Sequence, residues 1–131
     1  MIFVDTSFWI AYSNSRDPHH LAALDLLREV GTSGLATTNH VRGETWTFLR
    51  KRTDHALAER FLDRTERSSQ VRLVFVSQEL EADAVRWLRR HDERPYSYVD
   101  ATSFAVMRAM HIRDALSYDE DFAVAGFRRL S

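Results

Sequence analysis

The stretch Met1-Ile2-Phe3-Val4-Asp5-Thr6-Ser7-Phe8-Trp9 decides the fold. Ile2, Phe3 and Val4 are too few for a helix and too uniformly apolar for an edge strand. They suit a short strand buried on both faces of a parallel sheet, which reads as continuous hydrophobics rather than as alternation. Asp5 falls at the carboxyl end of that strand. Ligands bind along that edge in open α/β sheets, so an acid there, followed by the hydroxyls of Thr6 and Ser7, is a candidate site. The competing role for Asp5 or Ser7 is to cap a helix that starts near Phe8.

Outward from this stretch, Phe8 to Ser13 reads as a short helix closed by the Asn14-Ser15-Arg16 turn. Asp17 caps a second helix with Pro18 at its first position and Ala23, Leu24, Leu27 and Val30 as its apolar stripe. Leu35 to Thr38 forms a second strand, and Asn39 caps a helix from His40 to about Arg52. Asp54 to Arg67 gives another helix. Val71 to Val76 is the clearest strand, and Leu80, Ala84, Trp87, Leu88 and His91 follow it at helical spacing. Ser97 caps a helix to about Met110. Ala115 to Ser117 is a brief strand, Tyr118 to Ala125 a short helix, and Phe127 to Leu130 a last strand. Strands alternating with helices imply a parallel sheet covered on both faces.

With 131 residues, 44% of them hydrophobic, the chain suits one domain spanning 1–131 with a substantial core. The net charge of −1 neither requires nor excludes nucleic acid as a partner. Absence of cysteine removes disulfides and thiolate metal sites and fits a reducing, cytoplasmic location. The first residues lack a basic leader, and no apolar run approaches a membrane span.

Acids recur where core or strand-end residues belong. Glu44 lies three residues after Val41 and four before Phe48, which predicts a carboxylate on the inward stripe of its helix. Asp100 has Ser103, Phe104 and Met107 at offsets of a helical face. Asp119 and Asp121 follow the strand that ends at Ser117. Capping offers each a simpler role: Asp100 as the third-position acid of a helix capped by Ser97, Ser117 with Glu120 as a capping box, and Asp119 and Asp121 as helix-dipole acids. Glu44, in mid-helix, gains nothing from capping, and an unpaired buried carboxylate is costly. Converging carboxylates favour a hard divalent cation, Mg²⁺ or Mn²⁺, and the six histidines show no zinc-binding spacing. Such a cage performs metal-assisted hydrolysis or phosphoryl transfer. Helical spacing turns Asp121 away from Asp119, so Asp119 is expected to face the pocket directly and Asp121 to reach it at most through a water.

Asp5-Thr6-Ser7 after the first strand, Glu44 on a following helix, Tyr98-Val99-Asp100-Ala101-Thr102-Ser103-Phe104, and Leu116-Ser117-Tyr118-Asp119-Glu120-Asp121-Phe122 together resemble the PIN-domain ribonucleases. More narrowly the chain resembles the VapC toxins of bacterial type II toxin–antitoxin pairs. The resemblance implies a three-layer α/β/α fold with a five-stranded parallel sheet in the order 3-2-1-4-5. It implies a Mg²⁺- or Mn²⁺-dependent endoribonuclease acting on structured RNA, tRNA or ribosomal RNA, with the run from Tyr96 to Met107 resembling members that act on large-subunit ribosomal RNA. A homodimer inhibited by a VapB-type antitoxin follows in the same way. By position, Asp5, Glu44, Asp100 and Asp119 are the catalytic candidates. Asp5, Asp100, Asp119 and Asp121 are the metal-ligand candidates, and Thr6, Ser7, Ser103 and Ser117 the supporting hydroxyls. Ser117 stands where threonine is common. Trp9 and Trp46, each off or at the rim of its helix's inward stripe, mark the apolar surface expected to receive the antitoxin.

A phosphoryl-accepting receiver domain would need an aspartate ending the third strand and a lysine ending a late one, whereas that strand ends in Ser77 and the one lysine, Lys51, lies on a helix. A haloacid-dehalogenase-like phosphatase would need an aspartate where Ser7 stands. A non-catalytic PIN-fold module that binds RNA or protein is the alternative from another class, and retention of all four acids argues against it.

Overall fold

In the computed structural model, which describes residues 1–131, β1 (Ile2–Val4) is the middle strand of a parallel sheet. On one side lie β2 (Leu35–Thr38) and then β3 (Val71–Val74), and on the other β4 (Asp114–Leu116) and then β5 (Arg128–Leu130), giving the order 3-2-1-4-5. Phe3 pairs with Ala36 on one flank and Ala115 on the other, so the small side chains leave room beside the phenylalanine. All three β1 residues are buried, as their uninterrupted apolar character requires. The chain leaves β1 toward β2 and returns later to β4, so the carboxyl ends of β1 and β4 frame the point where strand order reverses.

Helices α1 (Thr6–Ser13), α2 (His20–Val30), α3 (Asn39–Arg52) and α4 (His55–Arg67) follow the first two strands. Here α1 packs against α2 and α3, and α3 against α4. Next come α5 (Gln78–Arg90), α6 (Tyr98–Ala109) and the single turn α7 (Asp121–Val124), with α5 paired to α6. Ala84, Ala101 and Ala105 are the buried contact between α5 and α6, and their size lets the two helices approach closely. The result is the three-layer α/β/α arrangement.

Several boundaries differ from the sequence expectation for identifiable reasons. α1 begins at Thr6 rather than Phe8, because Asp5 itself is the cap and its side chain accepts from the Ser7 amide. The second helix starts at His20, because Asp17 captures the His19 amide and holds Pro18 in a turn. Thr38, not Asn39, caps α3 through the Val41 amide, while Asn39 Oδ1 accepts from the Val76 amide beyond β3. β3 stops at Val74, and Val71, Leu73 and Val74 are only half-buried while Arg72 is exposed, since as an edge strand it has one neighbour.

Trp9 is 3% exposed and belongs to the main core, against the expectation that it lies at a rim. Its indole packs edge-on against Phe61 and its Nε1–H donates to Thr37 Oγ1 at 3.2 Å. That hydroxyl in turn donates to the Val4 carbonyl at 3.0 Å. One threonine thus satisfies the only polar atom of a buried tryptophan. Thr37→Val keeps the shape and strands the indole N–H, so unfolding free energy should fall by about 1–3 kcal/mol. Urea unfolding followed by tryptophan fluorescence measures this, and a change below about 0.5 kcal/mol would show that the indole finds another partner.

Candidate metal centre

Asp5 is 3% exposed, and three donors meet its Oδ2: the Ser7 hydroxyl at 2.8 Å, the Ser117 hydroxyl at 3.0 Å and the Ser7 amide at 3.3 Å. Each hydroxyl spends its proton on Asp5 and accepts an amide from the segment leaving β4. Ser7 Oγ takes the Tyr118 amide at 2.9 Å and Ser117 Oγ takes the Asp119 amide at 3.0 Å. Asp119 Oδ1 then accepts the Asp121 amide at 2.9 Å. These side-chain bonds hold the backbone from Tyr118 to Asp121 in a turn and delay the helix to Asp121. They also replace the expected capping box, for Glu120 makes no side-chain cap bond.

The same turn corrects the expected separation of Asp119 from Asp121. Because Asp119 precedes the helix, the rotation of about 100° per residue does not apply between the two acids. One carboxylate oxygen from each of Asp100, Asp119 and Asp121 lies within 4.8 Å of the others. Asp5 lines the same open pocket of about 490 Å³ beside this trio, and Glu44, Phe48 and Ile10 form its rim.

Glu44 is exposed, not core-facing. The buried row on α3 is Val41, Thr45 and Leu49, spaced by four, with the Thr45 hydroxyl satisfied by the Val41 carbonyl at 2.7 Å. A threonine that bonds its own helix takes the inward place, and Glu44 at the three-residue offset turns out to the pocket mouth. Phe48, read as inward, is 38% exposed for the same reason. Among the supporting hydroxyls, Ser7 and Ser117 hold Asp5. Thr6 Oγ1 and Ser103 Oγ are buried without any hydrogen-bond partner.

Arg94 carries no signal in the sequence. From the loop between α5 and α6 its Nε donates to Asp121 Oδ1 at 2.8 Å and a terminal nitrogen reaches the same oxygen at 2.6 Å. Nothing periodic marks an arginine in a polar loop, so no pattern could have found it.

Burial pushes Asp5 up to about 6, although its serine and amide bonds pull the other way. Asp100 is pushed to about 7, first by burial, then by the charges of Asp5 and Asp119, with Asp121 adding less. Carboxylates that resist ionisation next to one another are ready for a cation. The donor set is all oxygen, which suits a hard divalent ion. Oxygens bound to Mg²⁺ stand at most about 4.2 Å apart across an octahedron. The observed span therefore closes with small side-chain movements, and the residues present fit the ion.

A PIN-domain family model matches residues 2–128, and the chain belongs to that family. Within it, the chain is similar to VapC endonucleases. It is 49% identical over 127 residues to the 23S rRNA-specific endonuclease VapC20 of Mycobacterium tuberculosis, in the CDC 1551 and H37Rv strains alike, with 97% of this chain and 95% of the relative covered. The crystal structure of VapC20 from M. tuberculosis, a toxin that cleaves the sarcin–ricin loop, matches with a TM-score of 0.87 at 46% identity, covering 97% and 96% of the two chains. VapBC2 from Rickettsia felis, solved with a DNA fragment from its promoter, shares the fold at a TM-score of 0.74 and 12% identity, covering 99% and 98%.

The raised acids fix the sign of a pH effect. Between about pH 4 and 7 the folded, metal-free protein holds protons on Asp5 and Asp100 that the unfolded chain, with carboxyls near 3.8, has released. Stability without metal therefore falls as pH rises through that window. Asp100→Asn should flatten the fall and melt several degrees above the parent at about pH 8 in EDTA. Thermal melts across the window test this, and a variant melting below the parent would make Asp100 a structural cap.

Proposed function

We propose that this protein is the toxin of a toxin–antitoxin pair, a divalent-metal-dependent endoribonuclease that hydrolyses a phosphodiester bond in structured ribosomal RNA. The observation that carries this reading is the convergence of Asp100, Asp119 and Asp121 beside the buried Asp5 at the switch point of the sheet. The ribosomal substrate is supported by the 49% identity to a 23S rRNA-specific endonuclease, and the sarcin–ricin loop is the first target to test. Mg²⁺ or Mn²⁺ would be held by Asp5, Asp100, Asp119 and Asp121. When bound, such an ion polarises the phosphate and lowers the pKa of water.

The chain's own groups perform the rest. Ser7 and Ser117 fix Asp5 in one orientation through Oδ2, and its carboxylate would be one of the groups that hold the ion. Asp119 is held by the Asp121 amide, and Arg94 neutralises part of the charge that would repel an RNA backbone. Glu44, at the mouth, would accept a proton or hydrogen bond from a water entering the pocket. A VapB-type antitoxin that closes the pocket with a basic side chain, a homodimeric toxin and a cytoplasmic location complete the proposal. No helix is long and apolar enough to cross a membrane. Since Trp9 is in the core, only Trp46 remains of the two tryptophans expected to meet that partner.

Cleavage of ribosomal RNA, with product ends mapped, should occur with Mn²⁺ or Mg²⁺ and stop in EDTA. Asp5→Asn, Asp100→Asn and Asp119→Asn should each lower the rate by about a hundredfold or more. Asp121→Asn should keep a measurable fraction, because that carboxylate is already shared with Arg94. A Mn²⁺ titration compares the variants: equal losses at the two positions would mean a common role, and a larger loss at Asp121 would reverse the assignment. Cleavage that persists in EDTA and in Asp100→Asn would overturn the proposal.

A further inference from the structure

Away from the acids, the turn between α1 and α2 faces the turn between α3 and α4 across a cleft of about 860 Å³. Arg16, Arg52, Arg60 and Arg64 line it, and none of the four forms a salt bridge. Unpaired arginines occur elsewhere on the surface too, and what sets this cleft apart is that four guanidinium groups share one concave lining. The one acid in the lining, Asp54, is committed to capping α4 through the Leu57 amide at 2.8 Å. Arg60 and Arg64 stand one turn apart, about 6 Å along α4. The Arg64 guanidinium lies 5.9 Å from the Tyr12 ring centroid, which steadies it without neutralising it.

The cleft connects to the acid pocket. Arg52 lines both the cleft and the adjoining hollow that contains Glu44, and its guanidinium lies 5.6 Å from the centroid of the Phe48 ring. Phe48 and Glu44 in turn line the acid pocket. A continuous surface therefore runs from carboxylates that would hold the ion, across Phe48 and Arg52, to three further arginines. A polyanion whose cleaved bond lies at the acids needs a place for its neighbouring phosphates, and the pocket itself repels them.

We infer that this arginine-lined cleft binds the sugar-phosphate backbone of the RNA beside the cleavage point, with Arg52, Arg60 and Arg64 as phosphate contacts. The inference rests on the ribonuclease reading above and deepens it. Guanidinium groups suit bidentate phosphate contacts, which position a strand without reading its bases. Structured RNA, recognised through shape and backbone, is the class of ligand that such a surface serves. Its place is substrate registration, and the chemistry stays with the acids.

The test uses the full chain, a sarcin–ricin stem-loop RNA and a short unstructured oligoribonucleotide. In the Asp100→Asn background, which suppresses cleavage, Arg60→Gln with Arg64→Gln should weaken stem-loop binding roughly tenfold and lower the slope of log affinity against log salt by about 2. With the acids intact, the same pair should raise KM for the stem-loop, leave kcat nearly unchanged and leave cleavage of the short oligonucleotide unaffected. Arg60→Lys with Arg64→Lys should restore most of the salt slope. Arg52→Gln gives an independent check from α3. Unchanged binding and slope in a chain that still cleaves RNA would overturn the cleft while sparing the ribonuclease reading. A parent that neither binds nor cleaves the stem-loop would overturn both. Equal loss on both substrates, or a lowered melting temperature, would make the arginines structural and overturn the inference. Selective loss of binding to an acidic antitoxin peptide, with RNA unaffected, would do so in favour of a protein interface.

Discussion

One carboxylate oxygen between two hydroxyls holds the two halves of the sheet edge together. Asp5 Oδ2 receives protons from Ser7 and Ser117, residues 110 apart in the chain, and each of those hydroxyls accepts an amide of the segment that leaves β4. Bonds to an ionised acceptor are roughly twice as strong as neutral ones, which is how a nearly inaccessible carboxylate is retained at all. Burial still outweighs them, as the raised pKa of Asp5 records. Without this knot the Tyr118 to Asp121 turn would have free amides, α7 could begin earlier, and Asp119 would leave the trio.

The acids and the arginines divide a nearly neutral protein into regions of opposite sign. A net charge of −1 conceals an acidic pocket and an arginine-lined cleft that adjoin through Phe48 and Arg52. Whole-chain charge is a statement about average behaviour, whereas binding depends on the local field. The acidic side destabilises the metal-free fold, and the stability needed to hold it is supplied by the buried helix and strands behind it.

Sequence legibility followed the physical origin of each feature. β1 was readable because burial on both faces demands an unbroken apolar run, and Asp5 was legible only as a candidate, because a carboxylate at that strand end serves equally as the helix cap it also proves to be. Asp100 was readable from helical offsets that put it beside Phe104. Spacing failed at Glu44, since offsets of three and four from Val41 lie on either side of the same stripe and Thr45, polar yet satisfied by its own helix, took the inward position. It failed again at Asp121, because side-chain bonds from Ser7, Ser117 and Asp119 keep the chain out of the helix over which the periodicity was counted. Trp9 looked peripheral because its partner, Thr37, comes from another strand. Arg94 and the arginine cleft depend on loops and turns meeting in space, and no local pattern encodes that.

α6, the helix that presents Asp100, is buried at every position from Asp100 through Met107. It has no open face along that run, and Ala101 and Ala105 are buried against Ala84 of the neighbouring helix. The rim residues Ile10, Glu44 and Phe48 are under no such confinement. Variation within a lineage therefore has two very different rates open to it. The back wall that holds Asp100 is frozen by packing, while the mouth of the pocket is free to drift, so a chain of this design can change what enters the pocket without disturbing the acids at its base.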